Sequence, residues 1–398
     1  MKKLIRYPKS ARELRPFMVI WEVTQACDLV CKHCRASAQP ESHPLALTTP
    51  EGKTLLRQVA EFGRPSPIVV FTGGDPFKRP DLFELVSYAA ENGLVPAVSP
   101  SATPLLNRIN LERLKRSGAK AVSLSLDASE KEPHDAFRGV EGSFQLTLDG
   151  WRTAREVGLK VQVNSTVTRH NLHDLANLFA LVQELGAMTW SVFFLVPTGR
   201  AVGEEDLTPA ECEAVMHFLV DASKYLSVKT TEGHHFKRVV LERAILSEMG
   251  KDFAENLHPL YFELKEQLEK VVEARALASR VSVLRTPMNI NAGNGFVFVS
   301  HLGDVFPSGF LPIRGGNVRE TSLVDIYRNS KLFTSLRNPA ELKGRCARCE
   351  FREVCAGSRS RAFALTGDTQ QEDPYCAYQP GSFPFPEVLA SRLEKETA

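Results

Sequence analysis

The sequence predicts an α/β protein: a partial (β/α)6 barrel of the TIM type followed by a small C-terminal domain. Three observations carry that expectation. Between residues 17 and 196, short β-branched apolar runs alternate with longer stretches of helical period, the pattern of repeated βα units around a parallel sheet. Several helical stretches stop at Phe-Gly, Asn-Gly, Ser-Gly, Val-Gly or Leu-Gly, a C-terminal glycine stop. After Pro197-Thr-Gly-Arg the period changes, and a cysteine-rich C-terminal region follows.

The strand candidates are residues 17–23, 68–71, 95–99, 121–126, 161–167 and 189–195. Their mostly continuous apolar character suits strands covered on both faces. Helices are expected at 49–62, with Thr48 or Thr49 as cap, and at 79–92, 110–117, 143–157 and 171–185. Six such units, spanning 17–207, make three-quarters of an eight-stranded barrel and leave one side open to a large substrate. Residues 208–290 read as a helical bridging segment that begins at Thr208-Pro209, with Pro in the first turn. Residues 291–380 form the C-terminal domain, opened by a β-hairpin about Gly303-Asp304. Residues 1–16 are a short extension, and the tail 381–398 is expected to drape over the surface.

A chain of 398 residues exceeds one typical domain. With 49 basic and 47 acidic side chains and a net charge of +2, it offers no electrostatic case for nucleic-acid binding. A small molecule or a peptide is the expected partner. The first apolar run, 17–21, is too short for a signal-peptide core, and no stretch reaches the roughly 18 apolar residues of a membrane span. A cytoplasmic protein is therefore expected. Eight cysteines in such a chain argue for metal or redox use rather than a disulfide framework. Seven fall into two groups, and Cys212, alone on a predicted helix, reads as a small core residue.

Cys27-Asp-Leu-Val-Cys31-Lys-His-Cys34 follows the first predicted strand directly, at the carboxyl end where α/β barrels place their active sites. Three thiolates can hold three irons of a 4Fe-4S cluster and leave the fourth open to a ligand. The same segment with His33 could instead make a zinc knuckle. Phe71-Thr-Gly73-Gly74-Asp75-Pro76 closes the second strand; taken alone, its Gly-Gly-Asp-Pro is an ordinary turn signal.

Together, this spacing after strand one and the later Gly-Gly-Asp-Pro resemble the radical S-adenosylmethionine (SAM) superfamily, over nearly the whole chain. The resemblance implies a 4Fe-4S cluster on Cys27, Cys31 and Cys34, with SAM chelated by the open iron. One electron from an external donor such as flavodoxin or ferredoxin then cleaves SAM to methionine and a 5'-deoxyadenosyl radical. Gly73, Gly74 and Asp75 stand where the family has its GGEP element beside the SAM ammonium, with Asp for the usual Glu. Ser99, Ser101, Ser125, Asp127, Asn164 and Pro197 occupy positions that resemble the family's ribose, carboxylate and adenine contacts. Arg138 has the fork geometry to pair with the SAM carboxylate.

Cys346-Ala-Arg-Cys349, Cys355 and Cys376 supply four thiolates, enough to close a 4Fe-4S or zinc site. Their context resembles the SPASM and twitch extensions of radical SAM enzymes, which carry auxiliary clusters. Ser308, in Val-Phe-Pro-Ser-Gly, stands where many of those relatives have Cys, so one auxiliary 4Fe-4S cluster is expected, as electron relay or as structural clasp. The segment Cys355-Ala-Gly-Ser-Arg-Ser-Arg-Ala-Phe-Ala, with Asp373-Pro-Tyr-Cys376 after it, is most similar to the heme-biosynthesis branch, which includes the Fe-coproporphyrin III decarboxylase. That branch implies a tetrapyrrole substrate and loss of carbon dioxide from propionate side chains. Thr230-Thr-Glu-Gly-His234-His235-Phe-Lys237-Arg238 offers imidazoles for an iron and cations for propionates, or simply a solvated helix start. The alternative is a maturase of a ribosomally made peptide, although about 16 residues before the first strand are too few for a peptide-recognition domain.

Overall fold

In β1 (Met18–Thr24), Val19, Trp21 and Val23 are buried, while Met18 and Ile20 face a central cavity. That alternation is what a barrel strand requires, with one face for the helices and one for the interior. The computed structural model describes residues 9–201, 206–254, 257–279 and 289–397. Parts of the predicted N-terminal extension (1–8), barrel (202–205), bridging segment (255–256, 280–288) and tail (398) lie outside the described residues.

The six predicted strands are all present: β1, β2 (Ile68–Gly73), β3 (Val95–Val98), β4 (Ala121–Ser125), β5 (Lys160–Val167) and β6 (Thr189–Phe194). They pair in parallel in chain order. The connecting helices Thr49–Ala60, Leu82–Glu91, Arg108–Arg116, Ser143–Glu156 and Leu175–Glu184 correspond to the expected ones, and Lys131–Arg138 is an additional short one. Thr48 and Glu51 form a capping box at the first. Gly52 sits in that helix because a Cβ there would meet the Trp21 ring at 2.6 Å, so its absence lets helix and sheet approach closely.

Two further strands join the parallel sheet. The bridging segment, read from sequence as helical throughout, contains β7 (Val228–Thr231), which pairs in parallel with β6. The segment after residue 291 holds β8 (Asn291–Ala292), β9 (Gly295–Val299), β10 (Asp304–Phe306) and β11 (Gly316–Asn317). The expected hairpin is β9 against β10, antiparallel. Yet β9 also pairs in parallel with β1, matching Met18 with Phe296, so this segment extends the barrel sheet before the cysteine-rich part begins. The reason is shared hydrophobicity: Val297 and Val299 are buried in one core with Val19 and Trp21.

The tail is not draped loosely. Phe383 and Leu389, the latter on helix Pro386–Thr397, are buried with Leu241, Ile245 and Phe351. Among the described residues, no helix is long and apolar enough to cross a membrane.

Candidate active site

The loop after β1 is anchored on several sides. Cys27 N–H donates to Gln39 O at 2.8 Å, Lys32 N–H to Phe137 O at 3.0 Å, and Arg200 N–H to Cys34 O at 2.9 Å. Cys27 and Cys31 are buried and, with Cys34, form a small cluster around Leu29, Ala38 and Val140. The Sγ of Cys27 lies 3.4 Å from Ser101 Oγ and accepts the Leu29 N–H at 3.4 Å. Burial pushes the Cys27 thiol up, against the pull of those hydrogen bonds.

Gly73 and Gly74 pack against this loop. Gly74 N–H donates to Thr24 O at 2.9 Å, and a Cβ on Gly74 would stand 2.3 Å from Ala26 O. Their small size therefore serves the β1–β2 contact beneath the cysteines. Asp75 is fully buried: Oδ1 accepts from Phe77 N–H at 3.1 Å and Ser101 N–H at 3.4 Å, and Oδ2 from Thr103 Oγ at 2.7 Å. It does not line the cavity, and it shapes the Ser101 turn instead. Ser101 in turn donates to Gly74 O at 2.8 Å.

The cavity, of about 850 Å³, is lined by Cys27, Cys31 and Cys34 and by the inward residues of every parallel strand. Gly73, Gly74, Ser99, Ser101, Ser125, Arg138 and Asn164 are on its wall; Asp127 and Pro197 are not. Ser125 pairs with Asn164 in register, and Asn164 with Ser191, giving a row of polar groups across three strands. Asp127, fully buried, ion-pairs with Arg138, whose guanidinium also reaches Cys31 Sγ at 3.7 Å. Burial disfavours the Arg138 charge, but Asp127 and Cys31 outweigh it and hold the group above the ordinary arginine range. Burial likewise pushes Asp127 up, and the Arg138 charge returns it below its ordinary value. His33 stacks on Phe137 at 4.4 Å, and burial with the nearby Arg138 lowers it to about 4, so the ring is neutral.

In the C-terminal region burial raises all four thiols, with Cys349 and Cys355 each pushed up to about 12. Neighbouring thiols add to the rise in Cys349, Cys355 and Cys376, so each of these feels the charge of at least one of the others. Cations surround them: Arg359 lies 3.9 Å from Cys346 Sγ, Arg238 is near Cys376, and Lys237 near Cys355. Gly357 N–H donates to Cys355 Sγ at 3.4 Å. Four thiols with cations and an N–H around them suit a metal site that must displace protons to form. Among the described residues, no three His, Cys, Asp or Glu side chains close on a single-ion site.

The Ser-Arg-Ser-Arg segment locks this region to the barrel. Ser358 and Ser360 donate to the buried Glu232, just past β7, as does Ser308 at 3.0 Å. Arg361 is fully buried over Tyr375, 3.4 Å from the ring centroid, and reaches Cys212 Sγ at 3.7 Å. Cys212 is the core residue expected, its thiol pushed up by burial to about 12. Sequence reasoning missed Glu232, whose partners Ser308, Ser358 and Ser360 lie 76, 126 and 128 residues away along the chain. A second missed unit is Glu22, buried in β1, which takes His301 Nδ1 at 2.8 Å and Arg35 at 3.1 Å. Arg35 also stacks on Phe298.

Residues 21–182 match the family model of the radical SAM superfamily. The chain is 37% identical over 92% of its length to the AdoMet-dependent heme synthase of Methanosarcina barkeri, covering 97% of that protein. The chain belongs to the radical SAM superfamily. It is also 38% identical, over 91% of its length and 92% of the relative's, to the AdoMet-dependent heme synthase of Nitratidesulfovibrio vulgaris. Among solved structures the fold is similar to Streptococcus suis SuiB bound to S-adenosylmethionine, with a TM-score of 0.64 at 17% identity, covering 92% of this chain and 78% of that one. Native anSMEcpe with bound AdoMet gives 0.63 at 14% identity, over 95% and 100%. The protein is thus a radical SAM enzyme that uses a 4Fe-4S cluster and SAM.

Proposed function

We propose that this radical SAM enzyme decarboxylates propionate side chains of Fe-coproporphyrin III oxidatively, leaving vinyl groups and yielding heme. The observation that carries the reading is the 37–38% identity, over more than nine-tenths of the chain, to AdoMet-dependent heme synthases. A cavity of about 850 Å³, near the upper end of small-molecule sites at about 300–1,000 Å³, supports it. Cys27, Cys31 and Cys34 would hold the catalytic cluster, and Cys346, Cys349, Cys355 and Cys376 an auxiliary 4Fe-4S cluster. A reduced 4Fe-4S cluster with bound SAM supplies a hydrogen-abstracting 5'-deoxyadenosyl radical.

The chain's own residues do the positioning. Gly73, Gly74, Ser101, Ser125, Asn164 and Arg138 form the wall a SAM molecule would meet, and Asp75 supports that wall from behind through Ser101 and Thr103. Arg138, held by Asp127, presents a guanidinium beside Cys31, suited to a carboxylate. Each propionate converted loses one hydrogen atom, one carbon dioxide and one electron. The surplus electron needs an acceptor, and an auxiliary cluster on Cys346, Cys349, Cys355 and Cys376 would be that acceptor. The starting electron would come from a flavodoxin or ferredoxin in the cytoplasm.

The test is anaerobic reconstitution followed by incubation with SAM, a reductant and Fe-coproporphyrin III. Heme and 5'-deoxyadenosine, separated by chromatography, are the expected products. SAM cleavage with no heme formed would move the assignment to peptide maturation, to which the 28% identity with the PqqA peptide cyclase of Bradyrhizobium diazoefficiens points.

A further inference from the structure

The segment leaving β7 shows one side to the cavity and the other to the protein interior. Glu232, His234 and Lys237 line the cavity. His235 is fully buried and off the wall, and Arg238 is committed to Glu213 and Glu242. The structure therefore divides a motif that sequence treats as one: a single cation and a single imidazole face the space where substrate would sit.

Lys237 differs from two other cations on the cavity wall. Arg35 is neutralised by Glu22, and Arg138 by Asp127. The Lys237 ammonium donates to Ile290 O at 2.8 Å and lies 3.3 Å from His234 Nδ1. Among the described residues, no carboxylate stands within ion-pair distance of it. Glu232, the nearest acid by charge, spends its oxygens on Ser308, Ser358 and Ser360. A cation at a cavity wall whose direct contacts are both neutral acceptors can take a ligand carboxylate as a further, charge-assisted partner. Aromatic rings of Phe193, Phe298 and Phe310 also line the cavity, giving an apolar bed for a flat ligand.

We propose that Lys237 is the anchor for one carboxylate of the substrate, holding it at the end of the cavity that adjoins Cys355. The inference rests on the porphyrin reading above and adds the point of attachment. A substrate tethered here shares the cavity with Cys27, Cys31 and Cys34 and has its anchored end toward Cys355.

The experiment is an equilibrium titration of the reconstituted full-length enzyme, followed by Soret absorbance, with Fe-coproporphyrin III and with its tetramethyl ester. For K237M, binding of the acid is expected to weaken about tenfold or more, binding of the ester to stay as in wild type, and K237R to recover most of the loss. Iron content and circular dichroism identify variants that have not folded. Equal affinity of K237M and wild type for the acid would overturn the proposal, as would equal loss for acid and ester, which marks a structural role. A shifted auxiliary-cluster midpoint potential with unchanged affinity would overturn it too, assigning the lysine to Cys355. Failure of the wild type itself to bind Fe-coproporphyrin III would defeat the porphyrin reading, and the anchor with it.

Discussion

Arg138 reaches Cys31 Sγ at 3.7 Å while ion-paired to the fully buried Asp127. The pair places a fixed positive charge behind the cysteine loop. Removing the arginine alone strands a buried carboxylate, so R138M should lose about 3–5 kcal/mol of unfolding free energy, measured by urea denaturation. The double variant R138M/D127N should regain part of that loss, because no lone buried charge remains. A single variant as stable as wild type would show that the pair carries no such load.

Gly74 tests the packing under the cysteine loop. In G74A the new methyl meets the Ala26 carbonyl at 2.3 Å, and a backbone atom cannot swing aside. The variant should lose about 1–3 kcal/mol and retain less iron after reconstitution. S101A deletes the hydroxyl between Gly74 O and Cys27 Sγ without a clash, and should keep its iron.

The two cysteine groups should load independently. Replacing Cys27, Cys31 and Cys34 with Ala should reduce iron from about eight to about four per chain and abolish SAM cleavage. Replacing Cys346, Cys349, Cys355 and Cys376 should also leave about four, with SAM cleavage kept and heme formation lost. Iron and sulfide assays with 5'-deoxyadenosine measurement separate the two cases.

Glu232 gives the protein a pH signature. Burial raises its carboxyl above the ordinary glutamate value, despite three hydroxyl donors. A raised acid favours folding while protonated, so its contribution is present below the unfolded pKa of about 4.3 and fades as pH rises through the folded value. E232Q keeps the hydroxyl contacts without charge and should lose less stability than wild type as pH rises above the unfolded glutamate value of about 4.3. E232A strands Ser308, Ser358 and Ser360 and should cost about 1–3 kcal/mol. Denaturation series at several pH values decide both.

Legibility followed the range of the interaction that makes each feature. The cysteine triplet, its strand and the Gly-Gly-Asp-Pro turn were readable because each is encoded within a few neighbouring residues. Asp75 was expected beside SAM, but its oxygens bond Phe77, Ser101 and Thr103, contacts that spacing within its own loop does not reveal. Pro197 was expected among the SAM contacts and stands off the cavity wall. Strand β7 was hidden because Val228-Lys-Thr-Thr is too short and polar to stand out between helices; pairing with β6 makes it a strand.

By itself the sequence determined the parallel βα order, the two cysteine groups and the family they mark, since hydrophobic period and residue spacing are local properties of the chain. Only the tertiary structure decided that β9 closes against β1, that Ser308, Ser358 and Ser360 converge on Glu232, and that Lys237 faces the cavity while Arg238 turns away. Those outcomes join residues far apart in the chain. They depend on which buried surfaces fit together and which buried charges find partners, and that is settled only when the whole core packs.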